Sequence, residues 1–288
     1  MRKKTGPVRP ALLLFVAIMI GMALLTQAPA AHAKAVPAIT TDICIGHRGA
    51  RELAPQNTMA SFQEALGRGY TSMECDLWYT LSGDILICHG ESTKPYTKRN
   101  KMIWELSLRN RFKYPIKRGK KVKRHETQYI PSLDEVLKFA SENDVRMFLH
   151  LKAGKTHFNR KALRKLNRAI KRYSFKEKPV VCTSDRFVMR KMTGYHWIKA
   201  FFCKKSGKIN VRSDIKFAAD KKCTYIFIPL RKKYKPKKPL IRYGHRKGLK
   251  IVYYNIRTRK KANKALRKGV DIIMTDRILF RQGDASSK

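Results

Sequence analysis

The chain has 288 residues and sets 65 Lys and Arg against 20 Asp and Glu, a formal net charge of +45, while 43% of it is hydrophobic. That apolar share excludes a disordered polycation and leaves a packed core under a strongly basic surface. A surface of this sign gathers polyanions such as anionic lipid head groups, polyphosphates or nucleic acid.

Arg2, Lys3, Lys4 and Arg9 precede an apolar run over 11–25, which is shorter than the ~20 residues a bilayer span needs. Ala31-His32-Ala33 then offers a small-residue cleavage site before Lys34, and no lipobox cysteine follows the run. These features predict a signal peptide over 1–33 and a mature chain, 34–288, that works outside the cytoplasm. If the segment is kept, the alternative is a membrane anchor.

In chain order, 43–46 predicts a first strand. Residues 57–67 predict a helix with Met59, Phe62, Ala65 and Leu66 on one face. Strands two and three fall at 72–77 and 85–88. A basic connection over about 92–128 is too long for a plain loop, and its Trp104, Leu106 and Leu108 suggest a small insertion over the barrel mouth. Ser132 and Glu135 form a capping box opening the next helix. Strands follow at 145–151, 179–182, 198–203, 224–228, 249–254 and 271–274, with basic helices over 158–173 and 259–268. The alternation is that of an α/β chain folded as a (β/α)8 TIM barrel, with nine strand candidates for eight positions, so one is misassigned or lies outside the barrel.

Charge is concentrated in the second half. Across 145–270, 40 Lys and Arg face four acids: Glu177, Asp185, Asp214 and Asp220. The run over 231–238 reads as a solvated loop that adds to this field. Tyr225, Phe227, Tyr253 and Tyr254 sit in strand patterns and read as core, so nucleic acid is not the favoured partner. Cys44, Cys75, Cys88, Cys182, Cys203 and Cys223 lie mostly in apolar runs without C-x-x-C spacing, and read as buried thiols rather than disulfides or metal ligands.

Parallel barrels place chemistry at the C-terminal ends of their strands. There the sequence puts His47 and Arg48, then Glu74 and Asp76 two apart on one face, then His89, then His150 and Lys152, again on one face. Paired carboxylates suit a hard divalent cation, Arg and Lys suit a phosphate, and two histidines can divide proton transfer between them.

The segments Gly46-His47-Arg48-Gly49, Pro55-Gln56-Asn57-Thr58, Glu74-x-Asp76 and His89 resemble, in order and spacing, the opening signature of the glycerophosphodiester phosphodiesterase family. Residues 130–137 and 269–277 are similar to its later motifs, so the resemblance covers essentially the whole mature chain. It implies His47 and His89 as the acid–base pair, Glu74 and Asp76 as metal ligands, and Arg48 and Lys152 as phosphate holders. The implied reaction is metal-dependent cleavage to glycerol phosphate and an alcohol, with one Ca²⁺ or Mg²⁺ ion.

Four positions depart from the family's pattern. Gln56 replaces a Glu, Gly90 an Asp after His89, and His150 a third acidic ligand, while Tyr254 stands for a Trp and is expected to wall the substrate pocket. Imidazole at His150 also admits Mn²⁺ or Zn²⁺. The expected substrate is a glycerophosphodiester or a lipid or polymeric glycerol phosphate. The alternative reading is a catalytically weakened barrel that binds anionic envelope polymers or membranes.

Overall fold

The structure, a computed structural model, describes residues 39–153, 158–203, 210–231 and 236–279. The expected signal peptide over 1–33 and residues 232–235 of the basic loop lie outside the described residues. Among the described residues, no helix is long and apolar enough to cross a membrane.

The described residues form nine strands: β1 (Cys44–His47), β2 (Ser72–Tyr79), β3 (Ile85–Ile87), β4 (Arg146–Leu151), β5 (Val180–Thr183), β6 (Ile198–Phe202), β7 (Tyr225–Pro229), β8 (Lys250–Ile256) and β9 (Ile272–Thr275). Their order is β1-β9-β8-β7-β6-β5-β4-β2-β3, and a β1–β2 pairing closes the ring. Eight strands pair in parallel. The ninth, β3, pairs antiparallel with the upper half of β2 at Trp78↔Leu86 and stands outside the barrel. The third strand predicted from sequence is therefore the surplus one.

Helices α1 (Met59–Gly67), α2 (Leu133–Glu142), α3 (Arg160–Lys171), α4 (Arg186–Lys191), α5 (Val211–Asp220), α6 (Lys238–Arg246) and α7 (Arg259–Leu266) lie between the strands. Thr58, Ser132, Asn159, Asp185, Asn210 and Thr258 cap six of them by accepting a backbone N–H. Each such cap contributes about 1 kcal/mol. The seventh, α6, starts instead on a proline in its first turn. Helix α1 begins two residues later than the sequence predicts, because Asn57 takes a left-handed φ of 56° and Thr58 is the cap. Helices α4, α5 and α6 are not among the predicted elements; α4 is only six residues long, and Pro239 and Gly244 interrupt α6.

Strand alternation fills the barrel. Ile45, Phe148, Cys182, Ala200, Phe202, Phe227, Val252, Tyr254 and Met274 belong to one buried cluster. Phe202 stacks on Phe227 with centroids 4.0 Å apart, and Phe148 meets Phe227 edge-on at 5.7 Å. The next inward positions along three of these strands are polar: two residues beyond Ile45, Phe148 and Met274 come His47, His150 and Asp276. The site is thus the uppermost layer of the interior.

The insertion packs Tyr96, Ile103, Trp104, Leu106 and Ile116 against Trp78, Leu86, Cys88 and Ile130 in a small core of its own beside the barrel. All six cysteines are free and buried. Burial pushes the thiols of Cys44, Cys88 and Cys223 up to about 12.

Candidate active site

The first βα turn is built for one conformation. Arg48 and Gly49 both take positive φ, 64° and 75°. A side chain at Gly49 would meet the Ser61 carbonyl at 2.5 Å, so only glycine fits. The left-handed conformation costs Arg48 roughly 1–2 kcal/mol. Its carbonyl accepts hydrogen bonds from the Asn57 N–H at 3.1 Å and the Ser61 hydroxyl at 3.0 Å, which hold the turn in place. This holds Arg48 over the barrel, 5% exposed.

Barrel register then sets the neighbours: His47 pairs with Glu74, and Asp76 with His150. His47 Nδ1 lies 2.6 Å from Asp276 Oδ1, joining the first strand to the end of the last. Its Nε2 is turned towards Glu74, 3.9 Å away. Burial and the adjacent Arg48 charge hold the His47 pKa below its ordinary value, against the raising influence of Asp276 and Glu74. Neutral imidazole with Nδ1–H donated to a carboxylate leaves Nε2 as a base.

Asp276 stands in the site as well, and the sequence pattern assigns it no role. It also accepts from Arg51 at 3.1 Å and Arg257 at 2.8 Å. Burial raises its pKa, but the bond from His47 and the charges of His47 and Arg51 win and leave it far below the usual carboxylate range. Its sequence signals are its place just beyond β9, at a strand's C-terminal end, and its position inside the family-like segment 269–277.

Asp76 lies at the centre of a cationic clasp. Lys152 Nζ is 2.9 Å from Oδ1; Arg48 Nε and Asn57 Nδ2 are 3.1 and 2.9 Å from Oδ2. Burial pushes this carboxyl up, yet the charges of Lys152 and Arg48 hold it well below the usual range. His150 stacks on Phe202, centroids 4.2 Å apart, and places Nδ1 3.6 Å from Glu74 and 3.4 Å from Asp76.

Glu74, Asp76 and His150 each offer a ligand atom, all within 4.8 Å of one another. Glu74 Oε2 and His150 Nε2 are buried without a hydrogen-bond partner. Two hard oxygens and an imidazole with unsatisfied buried atoms fit a divalent cation, although both Asp76 oxygens already meet protein cations.

His89 arrives by a different route from the one expected. It does not end a barrel strand. Strand β3 descends from the rim, the Cys88 N–H bonds the Asp76 carbonyl at 2.9 Å, and His89 follows, half-buried, where its charge helps to lower Asp76. Gln56 accepts from Arg48 Nη1 at 2.6 Å and donates to the Tyr96 hydroxyl at 3.3 Å, so the insertion braces the arginine through it. Tyr254 does not wall an open pocket. It is 1% exposed, its hydroxyl donates to the Cys203 carbonyl at 3.3 Å, and its ring packs against Phe202 beneath the site.

Fold and site together define a (β/α)8 barrel with a carboxylate–imidazole cation hollow, fixed cations beside it and a carboxylate-held histidine. The chain belongs to the glycerophosphoryl diester phosphodiesterase family, whose model matches residues 47–279. A curated glycerophosphodiester phosphodiesterase of Caldanaerobacter subterraneus subsp. tengcongensis is 27% identical over 150 residues, 51% of this chain and 60% of that protein. The chain thus matches less than two thirds of that relative's length. An Oleispira antarctica phosphodiesterase, solved in complex with the product sn-glycerol-3-phosphate, superposes with a TM-score of 0.71 at 18% identity, covering 81% of this chain and 92% of that one. The glycerophosphodiester phosphodiesterase of Thermotoga maritima gives a TM-score of 0.62 at 16% identity, covering 81% and 94%. At these identities the two structures establish the fold.

Proposed function

We propose that this protein is a secreted, metal-assisted phosphodiesterase that cleaves glycerophosphodiesters to glycerol phosphate and an alcohol, with His47 and His89 as its acid–base pair. The observation that carries the reading is His47: buried, held through Nδ1 by Asp276, and presenting Nε2 beside Arg48 and the carboxylates. Family membership supports the reaction class, and the N-terminal run with its small-residue site supports secretion.

Arg48 and Lys152 orient the phosphodiester by its charged oxygens. His47 Nε2 takes the proton of the substrate's neighbouring hydroxyl as that oxygen bonds to phosphorus. His89 gives a proton to the alcohol oxygen as the P–O bond to it breaks. Water then opens the cyclic phosphate with the two histidines exchanging roles. Glu74, Asp76 and His150 would hold a divalent ion, which would supply charge neutralisation to the phosphodiester. The donor set admits Mn²⁺ or Zn²⁺ beside Ca²⁺ or Mg²⁺.

A second reading, a non-enzymatic binder of anionic polymers, is favoured by one observation: Lys152, Arg48 and Asn57 already occupy both Asp76 oxygens. The test is release of glycerol phosphate from glycerophosphocholine and glycerophosphoglycerol by metal-stripped protein resupplied with each ion. Turnover absent in His47→Ala is expected. Folded protein inactive with every ion supports the binder instead. Glu74→Gln is expected to abolish the rise in Tm that the preferred ion gives to the parent, and an unchanged rise would remove Glu74 from the ligand set.

A further inference from the structure

Beyond the catalytic hollow, a groove of about 680 Å³ runs from Leu230 and Arg231 after β7 and Arg257 after β8 along helix α7. Six of its lining residues are cations: Arg231, Arg257, Lys260, Lys261, Lys264 and Lys268. None of its described lining residues is acidic. Arg257 pairs with Asp276, and Lys268 Nζ donates to the Pro236 carbonyl at 3.0 Å. Among the described residues no ion pair engages Arg231, Lys260, Lys261 or Lys264.

Two further features show what the groove takes. Lys260 and Lys261 stand four and three residues before Lys264, so they share a face of α7 with steps of roughly 5–6 Å. Like charges at that spacing oppose the helix unless an anion lies along it. Continuity with the hollow is direct, because Arg257 lines the groove and meets Asp276 at 2.8 Å, and Asp276 holds His47 at 2.6 Å.

We infer that this groove is a secondary subsite for successive phosphates of a linear phosphodiester polymer whose end lies in the His47 site. The inference rests on the phosphodiesterase reading and names its substrate class. A row of cations along a trough fits a chain of repeating anions better than one head group. Single-stranded nucleic acid needs exposed aromatic faces on which bases stack. Among the groove's described lining residues the one aromatic, Tyr253, is 1% exposed. A membrane surface needs protruding apolar side chains, and the remaining large apolar lining residue, Leu230, is half-buried.

Binding separates this inference from catalysis. In a His47→Ala background, glycerol-phosphate oligomers of increasing length are titrated against the protein with and without Lys261→Gln/Lys264→Gln. Affinity is expected to rise with length in the parent. The double substitution is expected to weaken long chains about tenfold and leave the monomer unaffected. It should also flatten the dependence of log Kd on log salt by about 0.7 for each phosphate that the variant no longer engages. Equal affinity of both proteins for long chains overturns the inference. So does equally tight, Lys261- and Lys264-dependent binding of single-stranded DNA or of phosphatidylglycerol vesicles. With His47 restored, kcat/KM is expected to rise with chain length and to lose that rise in the double variant. Length-dependent binding without turnover on any substrate leaves the groove standing and sinks only the phosphodiesterase reading.

Discussion

Asp276 shows how one side chain sets the chemistry of another. Its carboxylate accepts from His47 Nδ1 and so fixes the tautomer that leaves Nε2 free to take a proton. Asp276→Asn keeps the shape but loses the charge and offers an amide donor in its place. We expect kcat to fall on the order of 10²–10⁴-fold with KM little changed. The sign of the pH effect follows from the forces on His47. Burial and Arg48 already lower its pKa, and Asp276 opposes them. Removing the opposing charge lowers it further, so the acidic limb of the kcat/KM profile, where the base becomes protonated, moves to lower pH. A limb that stays in place or moves up would show that His47 is not the base. Much of this site is legible in the sequence, because strand period two puts Glu74 with Asp76 and His150 with Lys152. The role of Asp276 is not, since a partner 229 residues away in sequence carries no local periodicity.

At the scale of elements, the insertion is a strut. Its core packs Trp104 against Trp78, centroids 6.0 Å apart, and Trp78 Nε1 donates to the Cys88 carbonyl at 2.8 Å, one residue before His89. Tyr96 in the same cluster reaches Arg48 through Gln56. Trp104→Ala is expected to cost about 3–5 kcal/mol in denaturant unfolding, as large aromatic truncations in cores do. It is also expected to raise KM, because both His89 and Arg48 lose support; unchanged KM in a destabilised variant would separate the insertion from the site. The insertion is visible in sequence from its length and its tryptophan. The direction of β3 is not. Three apolar residues, Ile85–Ile87, look alike in a parallel or an antiparallel pairing, and only the hairpin geometry after Tyr79 decides between them. The nine-for-eight surplus is the single trace of it. Helix α4 escapes because six residues are too few to show a period, and α6 because Pro239 and Gly244 punctuate it.

Over the whole molecule, stability comes from packing rather than cross-links. Six buried free thiols, three of them pushed up to about 12, are protonated at any ordinary pH and closed to reagents. A reducing agent is therefore expected to leave Tm unchanged, and a drop of several degrees would reveal a disulfide. Charge sets the outer behaviour in the same way, since 65 basic residues against 20 acids make a field that favours anions, and salt weakens it. The joint between β1 and the residue after β9 adds a consequence in time. A growing chain has emitted His47, Arg48, both carboxylates, His89 and Lys152 long before Asp276 leaves the ribosome. Until then the first strand lacks one of its two neighbours in the ring, and the imidazole lacks the anchor that aims it. On the proposed secretory route, synthesis and export would proceed with His47 unaimed, and the arrival of β9 and Asp276 would complete the site where folding finishes.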